Sequence, residues 1–198
     1  KKAITIMQEQ SECDSNLRNL DKLYSQLEYM SEPGIKYTVD KNLYNFIYIG
    51  WIAAYMPAAK IIHCRRNPLD NILSMYRSNF STGNDYTSNL KDAARILIAH
   101  EQAMKTYKER HPKQILTFDY DEFVNAPEPN LLKLLEWLEL DFDQRYLHPE
   151  KSTRTIHTAS SIEARKPINN KSVGGRRNYE NLLKPAKFIL HNNGFLQN

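Results

Sequence analysis

Lys60-Ile61-Ile62-His63-Cys64-Arg65-Arg66-Asn67-Pro68-Leu69-Asp70 is the stretch whose reading decides the fold. Its first half is a short run rich in β-branched residues, the signature of a strand. Its second half changes character abruptly. Asn67 suits a helix N-cap, Pro68 the first helical position, and Asp70 the first turn, where a carboxylate faces the positive end of the helix dipole. Leu69, Ile72, Leu73 and Tyr76 then recur at helical spacing. The stretch therefore predicts strand, basic exit and helix, with Ser74 and Arg77 carried on that helix.

Working outward, Lys36–Val39 and Gln114–Phe118 read as two further strands. Helical periodicity occupies Leu17–Leu27, Asn42–Met56, Leu90–Tyr107, Glu128–Glu139 and Leu182–Leu190. Strands alternating with helices of this length imply α/β architecture, with a parallel central sheet and helices on both faces in three layers. The polar, basic segment Arg154–Asn178 has no clear periodicity and reads as a functional or flexible loop.

With 198 residues, 41% hydrophobic and 25% charged, the chain reads as one globular domain over its whole length. The longest apolar stretch, Phe46–Met56, is too short and interrupted for a membrane span. A net charge of +4 does not argue for nucleic acid, but it permits a local basic pocket for an anion. Two cysteines make no disulfide framework, which favours a reducing compartment. Six scattered histidines show no His-x-x-x-His pair, so no metal site is expected. No Gly-x-Ser-x-Gly elbow, Walker-type loop or Gly-x-Gly-x-x-Gly fingerprint is present.

Ligands of open α/β sheets bind beyond the carboxyl ends of the strands. Arg66 at such an exit can fork onto a phosphate, with the following helix start offering free N–H groups. The alternative is that Arg65 and Arg66 are solvated loop charges and Ser74 an ordinary surface serine. Lys41 follows a second strand exit and can place a point charge on an anion, or be solvated. A third basic patch runs from Thr158-Ala159-Ser160 through Lys166-Pro167 to Gly174-Gly175-Arg176-Arg177. Glycines there allow close backbone approach to a phosphate.

Four motifs stand in a familiar order: Asp40-Lys41-Asn42-Leu43-Tyr44-Asn45-Phe46, Met56–Asp70 with Ser74 in register, Tyr120-Asp121-Glu122-Phe123-Val124, and Thr158-Ala159-Ser160 followed by Arg165-Lys166-Pro167-Ile168. Ser172-Val173-Gly174 and Tyr179-Glu180 follow. Over roughly residues 36–190 the chain resembles sulfotransferases that use 3′-phosphoadenosine-5′-phosphosulfate (PAPS). The likeness is greatest to the bacterial branch often fused to tetratricopeptide repeats and related to protein-tyrosine sulfotransferases.

The resemblance implies a P-loop-NTPase-like sulfotransferase fold and no metal cofactor. It implies transfer of a sulfuryl group to a hydroxyl of a peptide tyrosine, a sugar or a small metabolite, leaving 3′-phosphoadenosine-5′-phosphate. Arg66 and Ser74 would bind the 3′-phosphate and Tyr120 the adenosine. Lys41 would steady the leaving phosphate and Ser160 would assist near it. Lys166 and the Gly174, Gly175, Arg176 and Arg177 loop would close over the nucleotide. A bacterial member would be cytoplasmic.

The chain departs from the family at Asn42-Leu43, where Met-Pro is usual, and at Gly175-Arg176, where Arg-Trp is frequent. The family's Pro-Arg-Ser-Gly-Thr-Thr loop and acceptor base are not in the sequence, which opens on Lys1-Lys2-Ala3. The chain is thus expected to be the carboxyl-terminal portion of a longer domain. A rival expectation is a non-catalytic nucleotide-binding or interaction module on the same fold.

Overall fold

The computed structural model describes residues 37–78, 80, 83–152 and 165–196. Strand β1 is Ile61–Arg65 and β2 is Ile115–Asp119, neighbours in one sheet. The fold is α/β with an open parallel sheet. Parallel neighbours need a crossover connection, and two helices supply it here, α2 (Pro68–Arg77) and α3 (Leu90–Arg110). Helix α1 (Ile49–Tyr55) precedes β1. Helices α4 (Tyr120–Asn125) and α5 (Pro127–Leu138) follow β2, and α6 (Glu180–Asn192) comes last.

The helix start anticipated after β1 is built as its residue types dictate. Asn67 Oδ1 accepts from the backbone N–H of Leu69 at 3.1 Å and of Asp70 at 3.3 Å, with Pro68 at the first helical position. Helix α4 was not anticipated. Asp119 caps it, accepting from Asp121 N at 2.9 Å and Glu122 N at 3.1 Å.

The strand expected over Lys36–Val39 does not form. Lys36 lies outside the described residues, and Tyr37–Val39 is irregular and exposed, with Val39 90% accessible. β-branched and aromatic residues favour strands because they fit a half-buried pleated surface. Tyr37 and Val39 meet no such surface, and the sheet of described residues holds β1 and β2 alone. The helix expected over Leu17–Leu27 lies outside the described residues. None of the described helices is long and apolar enough to cross a membrane.

The chain divides into two compact units. One takes residues up to 61 together with 104–115. Its core joins Ile49 of α1, Met104 of α3 and Ile115, with Phe46, Ile61 and Tyr107 packed against them. A Cβ at Gly50 would meet the Tyr107 ring at 3.1 Å, so glycine permits this close approach.

The other unit takes residues 62–103 and 116 onward. Its core is a three-helix seam. Leu69, Ile72 and Leu73 of α2 pack with Leu90, Ala93, Ala94, Leu97 and Ile98 of α3 and with Leu183, Ala186 and Leu190 of α6. Small residues at 93, 94 and 186 let the larger ones interdigitate. In the same unit Glu101 of α3 receives the Arg65 Nε–H at 2.9 Å, with His63 Nε2 at 3.4 Å and His100 Nδ1 at 3.6 Å. Burial alone would raise the Glu101 pKa; polar contacts with His100 and His63 and the charges of His63 and Arg65 outweigh it and hold it at about 2. The ordinary carboxylate value is 4.5. The stability this ionised carboxylate contributes is thus fully present above that pH and is lost as the pH falls toward 2.

Ile72 is wholly inaccessible at the centre of the seam. Ile72→Ala is expected to destabilise the protein by about 2–5 kcal/mol. Denaturant unfolding should show a lower midpoint with an unchanged slope.

Candidate functional site

The site grows from the exit of β1 and the first turns of α2. On a helix, positions 70, 73, 74 and 77 share one face. Leu73 packs into the core and, with Asp70, Ser74 and Arg77, lines a cavity of about 460 Å³. Arg66 lines the same cavity, and Lys171, Ser172, Gly175, Asn178 and Tyr179 close it from the segment before α6.

Asp70 makes this closure. Its side chain is only 1% accessible. Oδ2 accepts from Gly174 N and from Arg176 Nη1, both at 2.9 Å, and Oδ1 accepts from Arg176 N at 2.7 Å. A buried carboxylate is tolerable only when its lone pairs are used in this way. Gly174 enters the turn at φ +76°, the left-handed region where glycine carries no Cβ penalty. A 3₁₀ turn over Gly175–Tyr179 then leads into α6.

Arg66 meets the same segment. Its Nη2–H donates to the Ser172 carbonyl at 3.1 Å, and its guanidinium lies 5.1 Å from the centre of the Tyr120 ring. Arg66 Nε is buried with no hydrogen-bond partner among the described residues. Tyr120 OH and Ser172 Oγ are 3.3 Å apart. Asp121 Oδ2 accepts from Asn67 N at 2.7 Å, which ties α4 to the strand exit. Arg77 lies 5.7 Å from the centre of the Tyr179 ring. Among the described residues the cavity lining carries three cations, Arg66, Arg77 and Lys171, and three serine hydroxyls, Ser74, Ser78 and Ser172, beside the phenol of Tyr179. Its single carboxylate is already occupied by backbone and by Arg176. Such a lining suits a small multiply charged anion.

The structure thus brings Arg66, Ser74 and Gly175 to one cavity and sets Tyr120 beside it under Arg66. Gly174 and Arg176 sit at its back, and the Arg176 guanidinium is engaged by Asp70. Arg177 is exposed and packs near Gly174. Lys166 is exposed and is not among the lining residues. Lys41 belongs to the other unit, exposed, after an irregular segment rather than a strand. Ser160 lies outside the described residues.

Sequence reasoning did not single out Lys171, Ser172, Asn178 or Tyr179 as lining residues. By its position alone Asp70 is an ordinary first-turn acid. Its helical offset from Ser74 and Arg77 was the available signal. Arg65 is neither in the cavity nor a purely solvated charge, because Glu101 takes it.

The model of a family described as "Sulfotransferase family" matches residues 4–144. The chain belongs to the sulfotransferase family. An uncharacterized protein of Aquifex aeolicus (strain VF5) is 36% identical over 155 residues. That match covers 77% of this chain and 20% of the relative, so the chain spans about a fifth of that protein's length. Among solved structures, the sulfotransferase domain from the curacin biosynthetic pathway superposes with a TM-score of 0.64. The superposition covers 90% of this chain and 69% of that one at 15% identity, a likeness of fold. The sulfotransferase family expected from the motifs is therefore the family found, and the β1–α2 exit is where this chain builds its cationic cavity.

Removing the Asp70 carboxylate leaves two backbone N–H groups and a guanidinium without their acceptor. Asp70→Ala is expected to cost about 3–5 kcal/mol. Amide exchange at Gly174 and Arg176 should accelerate well beyond that at α5; unchanged protection of those two amides would contradict the assigned role.

Proposed function

We propose that this sulfotransferase uses PAPS and transfers its sulfuryl group to an acceptor hydroxyl. The observation that carries the reading is the cavity after β1, where Arg66, Arg77 and Lys171 converge with Ser74 while the one carboxylate among the described lining residues is consumed internally. The residues fit an adenosine phosphate. Among the described residues Arg66 makes a single hydrogen bond, keeps a buried Nε without an acceptor, and lies over the Tyr120 ring. A guanidinium with donors to spare is the group that forks onto a phosphate.

In this reading Arg66 and the Ser74 hydroxyl hold the 3′-phosphate, and Lys171 and Arg77 neutralise the remaining charge. Tyr120 positions the adenosine side of the nucleotide and keeps Arg66 oriented. The Gly174–Arg177 segment, fixed by Asp70, closes the cavity and excludes water. When bound, PAPS supplies an activated sulfuryl group: its bond to the bridging oxygen breaks as the acceptor oxygen bonds to sulfur and the acceptor proton leaves to a base. Lys41 enters through the Asp40-Lys41 motif, as a point charge on that bridging oxygen. Ser160 enters through its own motif, near the 5′-phosphate. An acceptor on a peptide tyrosine, a sugar or a small metabolite is compatible with this chemistry.

Arg66 is the discriminating residue. Calorimetry should show tighter binding of 3′-phosphoadenosine-5′-phosphate than of 5′-AMP. Arg66→Ala should remove about 1.5–3 kcal/mol of that preference, roughly a 10- to 150-fold change. Equal loss for both ligands would mean that Arg66 reads another part of the nucleotide, and no binding of either would sink the proposal.

Lys41 is tested by turnover. If its charge strengthens its hold as the leaving oxygen becomes negative, Lys41→Ala in the full-length protein should cut transfer from labelled PAPS by roughly 10²–10³. Cofactor affinity should change far less. Lys41→Arg should rescue poorly, because a planar fork does not replace a point charge at one oxygen. Normal turnover with weakened binding would make Lys41 a loop-holding residue instead.

A further inference from the structure

His63, His100 and Glu101 meet where β1 packs on α3, apart from the cavity already described. No other group of three or more His, Cys, Asp or Glu residues among the described residues converges in this way. We propose that the three form a binding site for a divalent first-row cation, with Zn²⁺ the best match, leaving a fourth position open toward solvent.

The geometry carries the proposal. Glu101 Oε1 lies 3.4 Å from His63 Nε2 and 3.6 Å from His100 Nδ1, and all three ligand atoms fall within 4.8 Å of one another. A tetrahedral Zn²⁺ with bonds of about 2.0–2.1 Å sets neighbouring ligand atoms about 3.3 Å apart, so the cluster needs only small adjustments. The two imidazoles meet edge to face, with ring centres 4.9 Å apart.

His63 Nε2 is the pivotal atom of the cluster. The side chain is only 7% accessible, and among the described residues this nitrogen makes no well-formed hydrogen bond, with Glu101 Oε1 standing off at 3.4 Å. A buried polar atom left so is costly. A cation at the centre of the cluster satisfies it. Arg65 supplies the outer support, since its Nε–H holds Glu101 Oε2 at 2.9 Å and leaves Oε1 turned toward the imidazoles. Ligating carboxylates are commonly held by hydrogen bonds of this kind.

Two nitrogens and one carboxylate oxygen favour Zn²⁺ and its first-row neighbours over Mg²⁺ or Ca²⁺, which take oxygen shells. His100 is the most exposed of the three and marks the side of entry. The bland alternative is a hydrogen-bonded cluster that only fastens β1 to α3.

The test is titration of the metal-free protein with Zn²⁺ by calorimetry, and with Co²⁺ by visible absorption. One Zn²⁺ per chain and the intense visible bands of tetrahedral Co²⁺ are expected. His100→Gln, at the least buried ligand, should keep the fold by circular dichroism, weaken Zn²⁺ binding at least tenfold and abolish the Co²⁺ bands. Glu101→Gln should do the same, and Mg²⁺ should not compete. Absence of stoichiometric binding, or binding and spectra unaltered in a folded His100→Gln protein, would overturn the proposal.

Discussion

The Asp70 carboxylate is the interaction on which the cavity depends. Alone in the interior it would suffer a desolvation penalty of several kcal/mol. The Gly174 and Arg176 amides, the Arg176 guanidinium and its place in the first turn of α2 offset that penalty together. Partners this far along the chain mean that one side chain sets where the segment before α6 runs. Lys171, Ser172 and Asn178 line the cavity because that segment is fastened there.

The same contact decides which cations are available. Arg176 looked equivalent to Arg66 and Arg177 as a basic residue beside glycines. It is neutralised by Asp70, whereas among the described residues Arg66 makes one hydrogen bond and lies over an aromatic ring. A charge satisfied by a buried partner holds structure together, and a charge with unused donors can recognise a ligand. Counting basic residues in a loop cannot separate the two, because the distinction rests on a carboxylate remote in sequence.

This explains what could be read in the chain and what could not. The β1–α2 unit was legible because every signal in it is local: β-branched residues, an Asn cap, a proline at the first helical turn and apolar residues at helical spacing. Arg66 and Ser74 follow from that unit by offset alone, and the structure places both on one cavity. Tyr37-Thr38-Val39 carries equally good strand composition and forms none, since composition cannot supply the neighbouring strand that a ladder requires. Helix α4 escaped notice because Tyr120–Asn125 is too short to display a period, and its cap, Asp119, ends a strand. Lys171, Ser172 and Tyr179 line the cavity through contacts remote in sequence, those of Asp70 with Gly174 and Arg176 and that of Arg66 with Ser172.

Strand β1 shows how finely neighbouring residues are divided. Side chains alternate along a strand, so His63 and Arg65 share a face, and both turn to Glu101 on α3. Arg66 comes next, beyond the end of the strand, and departs to Ser172 and Tyr120. Two adjacent arginines of similar appearance thus serve different places, one orienting a carboxylate and the other lining the cationic cavity. The His63–Glu101 contact was invisible to motif spacing because all of α2 intervenes between its partners. It arises from the crossover that carries the chain from β1 into α3, and the same crossover positions Ser74 and Arg77 on the cavity. The topology that builds the cationic cavity therefore also assembles the two imidazoles and the carboxylate.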